Sequence, residues 1–256
     1  MFCGMDLGSR AVKIVLHDGR EVREEKIVET ARFYKTCGQH TDMGFAVDFD
    51  ALLSETPTSV TVTGYGRNSL TIIDAEIISE LKAHMLGAVW QTGLTDFTLL
   101  DLGGQDSKVI RVRVGRMDDF LLNDKCAAST GRYLENMAAV LGISLAELSK
   151  YYEEPVELSA TCAIFGESEL IGKIVEGIPV PRLAAGVNYS IFRRIKPMLL
   201  SLASETTVFT GGVALGPAIA HWLQTEIGTR VVVPVRPQLN GAIGCAIHAW
   251  RKNGGM

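Results

Sequence analysis

The sequence predicts an α/β protein built from two duplicated lobes. Strands alternate with helical segments along its 256 residues, and a strand–turn–strand unit containing Asp-Leu-Gly occurs twice, starting at Asp6 and Asp101. No linker or low-complexity segment interrupts the chain. The distance between the copies exceeds the roughly 20–50 residues of solenoid repeats, so it favours duplicated domains. We expect lobes at 1–95 and 96–238, with a closing helix in 239–256 that packs back on the first lobe.

Composition describes an ordinary globular protein, with 47% hydrophobic and 21% charged residues. A net charge of −4 argues against a nucleic-acid binder with a basic surface. No apolar run approaches the roughly 20 residues that cross a bilayer, and Asp6 and Arg10 interrupt any signal peptide. Five cysteines without tight spacing favour a reducing compartment. These features predict a cytoplasmic protein without nucleic-acid or membrane partners.

The first Asp-Leu-Gly unit lies among three predicted strands, at 2–8, 11–19 and 21–29. A tight turn with Gly8 and Ser9 lets backbone amides approach a phosphate, and Asp6 at a strand end can hold a metal-bound water. On its own this motif is more typical of a plain hairpin.

The second unit, Asp101–Ile110, follows the apolar strand Phe97–Leu100. Lys13 and Lys108 stand at the same distance after the aspartate of each copy. Two such turns, each with an aspartate, predict a clamp for a Mg²⁺-nucleotide between two lobes.

The remaining pattern predicts a sequence of elements that ends in clean alternation. His84 lies on one of the helices, where a single histidine is more often structural than catalytic. The predicted elements are strand Ser59–Thr63, helix Glu76–Trp90, strands Ser107–Val114 and Asp119–Leu122, helices Gly131–Leu141 and Ser144–Tyr152, strand Val156–Ser159, helix Leu183–Leu202, strand Thr206–Thr210, helix Pro217–Ile227, strand Val231–Val235 and helix Gly241–Arg251.

The segment 123–135 combines two chemistries. Cys126 lies among small residues, and Thr130, Gly131 and Arg132 stand at a helix start, where unpaired amides and the helix dipole can meet an anion. Cys162 occupies a second loop-to-helix junction.

The other cysteines have a different interpretation. Cys3 and Cys245 are expected to be small core hydrophobes, and Cys37 has no obvious partner. Elsewhere, Gly211 and Gly212 follow a strand, where glycines let the backbone approach a flat ligand such as adenine; an ordinary turn explains them equally well.

Seven motifs together resemble a known family over nearly the whole chain. They are DLGS, TGYGR, DLGGQDSK, NDKCAASTGRYLE, TCAIFGESE, TGGVA and PQLNGAIGCA. They are similar to the activator ATPases of 2-hydroxyacyl-CoA dehydratases, a family that includes ATPase subunits of benzoyl-CoA reductases. The resemblance implies the acetate kinase, sugar kinase, Hsp70 and actin superfamily, in which two ribonuclease-H-like lobes enclose an interlobe nucleotide cleft.

The resemblance also implies cofactors and catalytic roles. A homodimer would share one [4Fe–4S] cluster, held by Cys126 and Cys162 of each subunit. The nucleotide would be ATP or ADP with Mg²⁺. Asp6 and Asp101 would organise the Mg²⁺ through water, and Gln105 would orient the attacking water.

Nucleotide contacts follow from the same motifs. The implied contact residues are Gly8, Ser9, Arg10, Lys13, Gly103, Gly104, Gln105, Gly131, Arg132, Gly211, Gly212 and Val213. The chain departs from the family pattern at Arg10, where a small hydroxyl residue is usual, at Ser129, where glycine is common, and at Gly166, which replaces alanine.

The implied activity is ATP hydrolysis coupled to electron transfer. The acceptor would be a 2-hydroxyacyl-CoA dehydratase, a related reductase or a double-cubane cluster protein, and the donor a ferredoxin or flavodoxin. Two alternatives stay open from the residues alone. One is a small-molecule kinase of the sugar-kinase type, and the other is a non-catalytic, nucleotide-dependent regulator or filament protein.

Overall fold

A computed structural model of the chain describes residues 1–64, 71–123, 130–160 and 163–255. It divides into two compact units. Unit 1 combines residues 1–94 with the C-terminal residues from Gln238 onward, and unit 2 comprises Thr95–Pro237. The expectations for Cys126, Ser129 and Cys162 fall outside the described residues.

Strands supply the framework of both units. In chain order they are β1 (Phe2–Leu7), β2 (Ala11–His17), β3 (Val22–Glu29), β4 (Gly38–Thr41), β5 (Gly44–Val47), β6 (Ser59–Thr63), β7 (Ala75–Ile77), β8 (Phe97–Leu102), β9 (Ser107–Arg113), β10 (Arg116–Asn123), β11 (Thr206–Gly211) and β12 (Arg230–Val232).

Helices cover the sheets. In chain order they are α1 (Thr30–Thr36), α2 (Phe49–Leu52), α3 (Glu80–Thr92), α4 (Gly131–Leu141), α5 (Leu145–Leu148), α6 (Ala163–Val175), α7 (Val180–Ser201), α8 (Pro217–Trp222) and α9 (Asn240–Lys252).

The main sheet of unit 1 has the strand order β3-β2-β1-β6-β7. The first three strands are antiparallel, whereas β1–β6 and β6–β7 are parallel. The central strands β1 and β6 are almost entirely buried, as expected for strands covered on both faces. The edge strand β3 alternates half-buried and exposed residues and carries charges, which discourage edge-to-edge pairing.

Helix α9 belongs to the core of unit 1. The Asn240 side chain donates to the His84 carbonyl at 2.8 Å and accepts from Gln91 at 3.0 Å. The apolar face of α9, including Ile243 and Ile247, packs with Val15 of the sheet. The last helix of the sequence therefore completes the fold of the first unit.

The main sheet of unit 2 repeats this topology. Its order is β10-β9-β8-β11-β12, with three antiparallel strands followed by parallel pairing of β11 with β8 and β12. Large side chains from strand and helices fill its core, among them Tyr133, Phe192, Phe209 and Trp222. Each Asp-Leu-Gly unit is thus the first hairpin of a sheet, and two sheets of one topology are what duplication produces.

The prediction of one helix over Glu76–Trp90 is wrong at its start. Ala75–Ile77 pair with β6 as strand β7, and the helix begins only at Glu80. The Ser79 side chain accepts from the Lys82 amide and caps the helix there. Ile77 is exposed.

The prediction of a strand at Val156–Ser159 is also wrong, because this segment pairs with no strand among the described residues. The Val156 amide donates instead to the Arg182 carbonyl of α7 at 3.2 Å. Side chains of α6 and α7 bond the rest of the segment: Glu169 accepts from Ser159, and Arg193 donates to the Leu158 carbonyl. Three other elements are shorter or altered: α5 spans four residues, α8 passes into a π-helical turn at Leu223–Ile227, and β12 ends at Val232, ahead of Pro234.

Within the described residues, no helix combines the length and apolar character that crossing a membrane requires.

Candidate nucleotide-binding turns

The hairpin of β1 and β2 places an ion pair beside an exposed turn. Asp6 lies opposite Lys13 in the register, and Lys13 Nζ is 3.1 Å from Asp6 Oδ2. A Cβ atom at Gly8 would lie 2.9 Å from that Nζ, so glycine leaves room for the ammonium group. Ser9 and Arg10 are exposed at the tip of the turn. Both can reach a ligand there.

The hairpin of β8 and β9 repeats the pair in a more enclosed form. Asp101 lies opposite Lys108, whose Nζ is 3.8 Å from Asp101 Oδ2 and also bonds Asp106. The Thr210 hydroxyl donates to Asp101 Oδ1 at 2.8 Å. Gln105 is exposed in the turn, beside Gly104. A Cβ at Gly104 would have no described atom within 4 Å, so space for a ligand is open there.

A second repeated pair, Thr-Gly, ends the strand parallel to each hairpin. Thr63 is paired with Asp6, and Thr210 is paired with Asp101. The glycines that follow have φ of +101° at Gly64 and +88° at Gly211. A Cβ there would lie 2.6 Å from the Leu7 amide nitrogen and 2.2 Å from the Leu102 carbonyl oxygen, respectively.

Both the positive φ and the close approach require glycine at these two positions. Sequence reasoning noted each motif separately but missed the repeat. The available signal was a Thr-Gly dipeptide directly after an apolar strand in both halves.

The start of α4 lies against the second hairpin's turn. The Gly131 amide donates to the Gly103 carbonyl at 2.9 Å, and the Arg132 amide donates to the Gly104 carbonyl at 3.0 Å. The expectation of unpaired amides at this helix start is therefore wrong for these two residues. Of these two residues, Arg132 still has an exposed, charged side chain that can meet a ligand.

The turn at Gly211–Val213 lies against the same start of α4. Gly212–Leu215 forms a 3₁₀ turn after β11. A Cβ at Gly131 would lie 3.2 Å from the Gly103 carbonyl oxygen and 3.8 Å from Val213 Cγ2. In unit 2 the structure therefore brings together three predicted contact segments: 103–105, 131–132 and 211–213.

Two residues that were not predicted to belong to the site, Gly241 and His84, lie near Asp6. A Cβ at Gly241, near the start of α9, would lie 3.0 Å from His84 Nε2 and 3.3 Å from Asp6 Oδ2. His84 is buried on α3. Its place beside Asp6 depends on the packing of α3 and α9, which no local sequence pattern reveals.

The described cysteines behave as core or surface residues. Cys3 and Cys245 are fully buried, as predicted. Burial raises the pKa of the Cys3 thiol to about 12 and raises the pKa of Cys245 as well, so both stay protonated. Cys37 is half-buried at the end of α1.

Metal binding by clustered side chains is not seen in the described ranges. They contain no group of three or more His, Cys, Asp or Glu able to hold an ion. Asp6 and Asp101 each stand beside a lysine. Either carboxylate by itself is compatible with Mg²⁺, which usually keeps several waters and is held by one or two carboxylates plus substrate phosphates.

Comparisons with known proteins identify the family of the chain. The family model described as the BadF/BadG/BcrA/BcrD ATPase family matches residues 3–249. The (R)-2-hydroxyglutaryl-CoA dehydratase activating ATPase of Acidaminococcus fermentans is 36% identical over 260 residues, covering 97% of this chain and 96% of that protein. The 2-hydroxyisocaproyl-CoA dehydratase activator of Clostridioides difficile is 34% identical over 253 residues, with coverage of 96% and 94%.

A solved structure provides a further match. The activator of the 2-hydroxyisocaproyl-CoA dehydratase from Clostridium difficile with bound ADPNP matches with a TM-score of 0.85 and 33% identity, covering 98% of this chain and 95% of that chain. The predicted α/β fold of the Hsp70 and actin type is confirmed.

Proposed function

This chain belongs to the BadF/BadG/BcrA/BcrD ATPase family, and we propose that it is an ATP-hydrolysing activator that delivers low-potential electrons to a partner metalloenzyme. The observation that carries this proposal is the duplicated hairpin with its Asp–Lys pair, in a chain similar along its whole length to dehydratase activators. One of those relatives was solved with bound ADPNP, which supports a nucleotide as the ligand.

The nucleotide phosphates are proposed to bind at the two turns. Amides of Ser9 and Gly104 are the expected phosphate donors, assisted by the exposed side chain of Arg10. The amides of Gly8 and Gly103 donate to the Asp6 and Asp106 carbonyls at 3.0 Å each, so these two glycines are proposed to contact the phosphates by leaving space for them. Lys13 is less enclosed than Lys108 and is the ammonium group better placed to meet a phosphate.

Hydrolysis requires Mg²⁺ and an oriented water. Asp6 and Asp101 are proposed to hold Mg²⁺ through its waters, and the exposed Gln105 amide to orient the attacking water. The side chain of Arg132 and the turn at Gly211, Gly212 and Val213 are proposed to contact the nucleotide beside the Gly103–Gln105 turn.

Cys126 and Cys162 are the proposed ligands of a [4Fe–4S] cluster. Both lie outside the described residues; Cys126 stands five positions before the start of α4, and Cys162 stands directly before the start of α6. Two thiolates per chain make four in a homodimer, which is the number such a cluster takes. When bound, the cluster would supply one-electron chemistry.

The proposed partners follow from the relatives. A 2-hydroxyacyl-CoA dehydratase, a related reductase or a double-cubane cluster protein is the proposed acceptor, and a ferredoxin or flavodoxin the donor. We propose the cytoplasm as the location, because a thiolate-held cluster needs a reducing compartment.

The cluster assignment is tested by iron analysis after purification without oxygen. We expect about two iron atoms per chain in the wild type. Cys126→Ser and Cys162→Ser should lose the iron and its visible absorption while retaining ADP binding. Cys37→Ser is the matched control and should keep both. An iron-free, dimeric wild type that phosphorylates a sugar would establish the kinase alternative instead.

The role of Gln105 is tested by steady-state kinetics. Gln105→Ala should lower kcat for ATP hydrolysis about 100-fold and leave ADPNP affinity nearly unchanged, because the exposed amide orients water rather than holding the nucleotide. An unchanged kcat would show that another group positions the water.

A further inference from the structure

The segment Leu158–Ala160 is held by side chains from two helices. Arg193 Nη2 donates to the Leu158 carbonyl at 2.6 Å, and Arg194 Nη2 donates to the Ala160 carbonyl at 2.7 Å. The Glu169 carboxylate accepts from the Ser159 amide at 2.8 Å and from the Ser159 hydroxyl and the Ala160 amide at 2.9 Å each. The chain is thus fixed two positions before Cys162.

The Glu169 carboxyl group is negatively charged, which suits the three hydrogen bonds that it accepts. Burial by itself raises the pKa of this carboxyl, but the hydrogen bonds from the two amides and the Ser159 hydroxyl outweigh it, so the pKa lies below its ordinary value. At neutral pH the group is an ionised, acceptor-only carboxylate facing three donors. The segment therefore has a defined position on α6.

Arg194 has a second contact that leads to α4. Its guanidinium carbon lies 5.1 Å from the centroid of the Tyr133 ring, within the range of a cation–π interaction. Tyr133 is 1% exposed, and its hydroxyl lies 3.3 Å from Ser190 Oγ, which is 3.4 Å from Arg194 Nη1. Among the described residues, the Tyr133 ring has this contact with Arg194 and none with the exposed Arg193.

Tyr133 lies on the helical turn that is bonded to the second hairpin. The amides of Gly131 and Arg132 are bonded to the carbonyls of Gly103 and Gly104, and Gly131 has little free space around it. A displacement of the Gly103–Gln105 turn therefore moves the first helical turn of α4, and Tyr133 with it. Close-packed contacts of this kind transmit displacements rather than absorb them.

We propose that Arg194 is a positioning residue, which relays a displacement of the Gly103–Gln105 turn through Tyr133 to the segment leading to Cys162. The inference rests on the proposed function, because only a chain that binds nucleotide at this turn has such a displacement to relay. The planar guanidinium suits the role, since it can stack on a ring and donate to a carbonyl at the same time.

Hydrogen exchange of the full-length protein, purified without oxygen, tests the relay. In the wild type, Mg²⁺ with ADPNP should slow exchange at residues 103–105 and change the exchange rate of the peptide containing residues 158–160 about fivefold or more. In Arg194→Gln, ADPNP should still slow exchange at residues 103–105, but it should no longer change the exchange rate at 158–160. ADPNP affinity, measured by calorimetry, should stay close to the wild-type value.

Arg193→Gln is the matched control. It removes a neighbouring arginine that also bonds a carbonyl of the segment but lacks the contact with Tyr133. Exchange at 158–160 should rise without nucleotide, and the response to ADPNP should persist. Tyr133→Phe keeps the ring and should respond like the wild type. Arg194→Lys keeps the positive charge but lacks the planar guanidinium, so its exchange at 158–160 should respond only weakly to ADPNP.

The outcomes separate the relay from the proposed function. No protection at 103–105 in the wild type would overturn the proposed nucleotide site, and the relay with it. Protection there without any change at 158–160 would overturn the relay alone. An Arg194→Gln variant that responds like the wild type would also overturn the relay. So would an Arg193→Gln variant that loses the response to ADPNP to the same extent, since loss of either arginine would then merely loosen the segment. Thermal unfolding of each variant verifies that it is folded.

Discussion

The first hairpins of the two units share a register but not their surroundings. Asp6 faces Lys13 and Asp101 faces Lys108 at the same positions. The side chains of the first pair are 10% and 24% exposed, whereas those of the second are 3% and 6% exposed. Thr210 donates to Asp101, while the equivalent Thr63 donates to the Ile78 carbonyl.

This difference shows which part of the repeat is fixed. Both units share the backbone register, the Asp–Lys pair and the Thr-Gly ending. They differ in the hydrogen-bond partners of the aspartate. Asp101 is held by Thr210, and its lysine also bonds Asp106. Asp6 lies closer to solvent, beside His84 and Gly241. We infer that the second carboxylate is the more rigid of the two.

Glycine replacement at the Thr-Gly endings should have the largest effect in both units. Gly64→Ala and Gly211→Ala combine a positive φ with overlap on the backbone of the neighbouring strand. Each should lower the free energy of unfolding by about 4 kcal/mol. Chemical denaturation followed by circular dichroism measures it.

Controls for these replacements lie in the same units. Gly93 in unit 1 and Gly228 in unit 2 also have positive φ, but a Cβ would have no described atom within 4 Å. Gly93→Ala and Gly228→Ala should cost only about 1 kcal/mol. Equal losses in test and control variants would mean that close approach of the strands does not explain the glycines.

Thr→Val replacements should separate the two units. Valine keeps the shape of threonine and removes only the hydroxyl. Thr210→Val leaves a buried carboxylate without one donor and should cost about 2 kcal/mol, whereas Thr63→Val removes a bond to a neutral carbonyl and should cost about 1 kcal/mol. The same denaturation measurement applies. A larger loss for Thr63→Val would reverse the assignment of the more tightly held aspartate.

The sequence alone predicts those parts of the site that local patterns encode. Lysine at a constant distance from each Asp-Leu-Gly predicted the hairpins, and their register bears this out. The sequence could not predict neighbours supplied by distant elements, such as Gly241 of α9, which adjoins both Asp6 and His84. The sequence also predicted a strand at 156–159, because an alternating apolar and polar stretch looks the same whether another strand or side chains of distant helices satisfy its backbone.

We propose that one nucleotide engages both repeated turns. Hydrogen exchange at 8–10 and at 103–105, followed across a titration with ADPNP and Mg²⁺, is the decisive measurement. We expect both turns to become protected with the same titration midpoint. Protection of one turn alone, or two different midpoints, would contradict it.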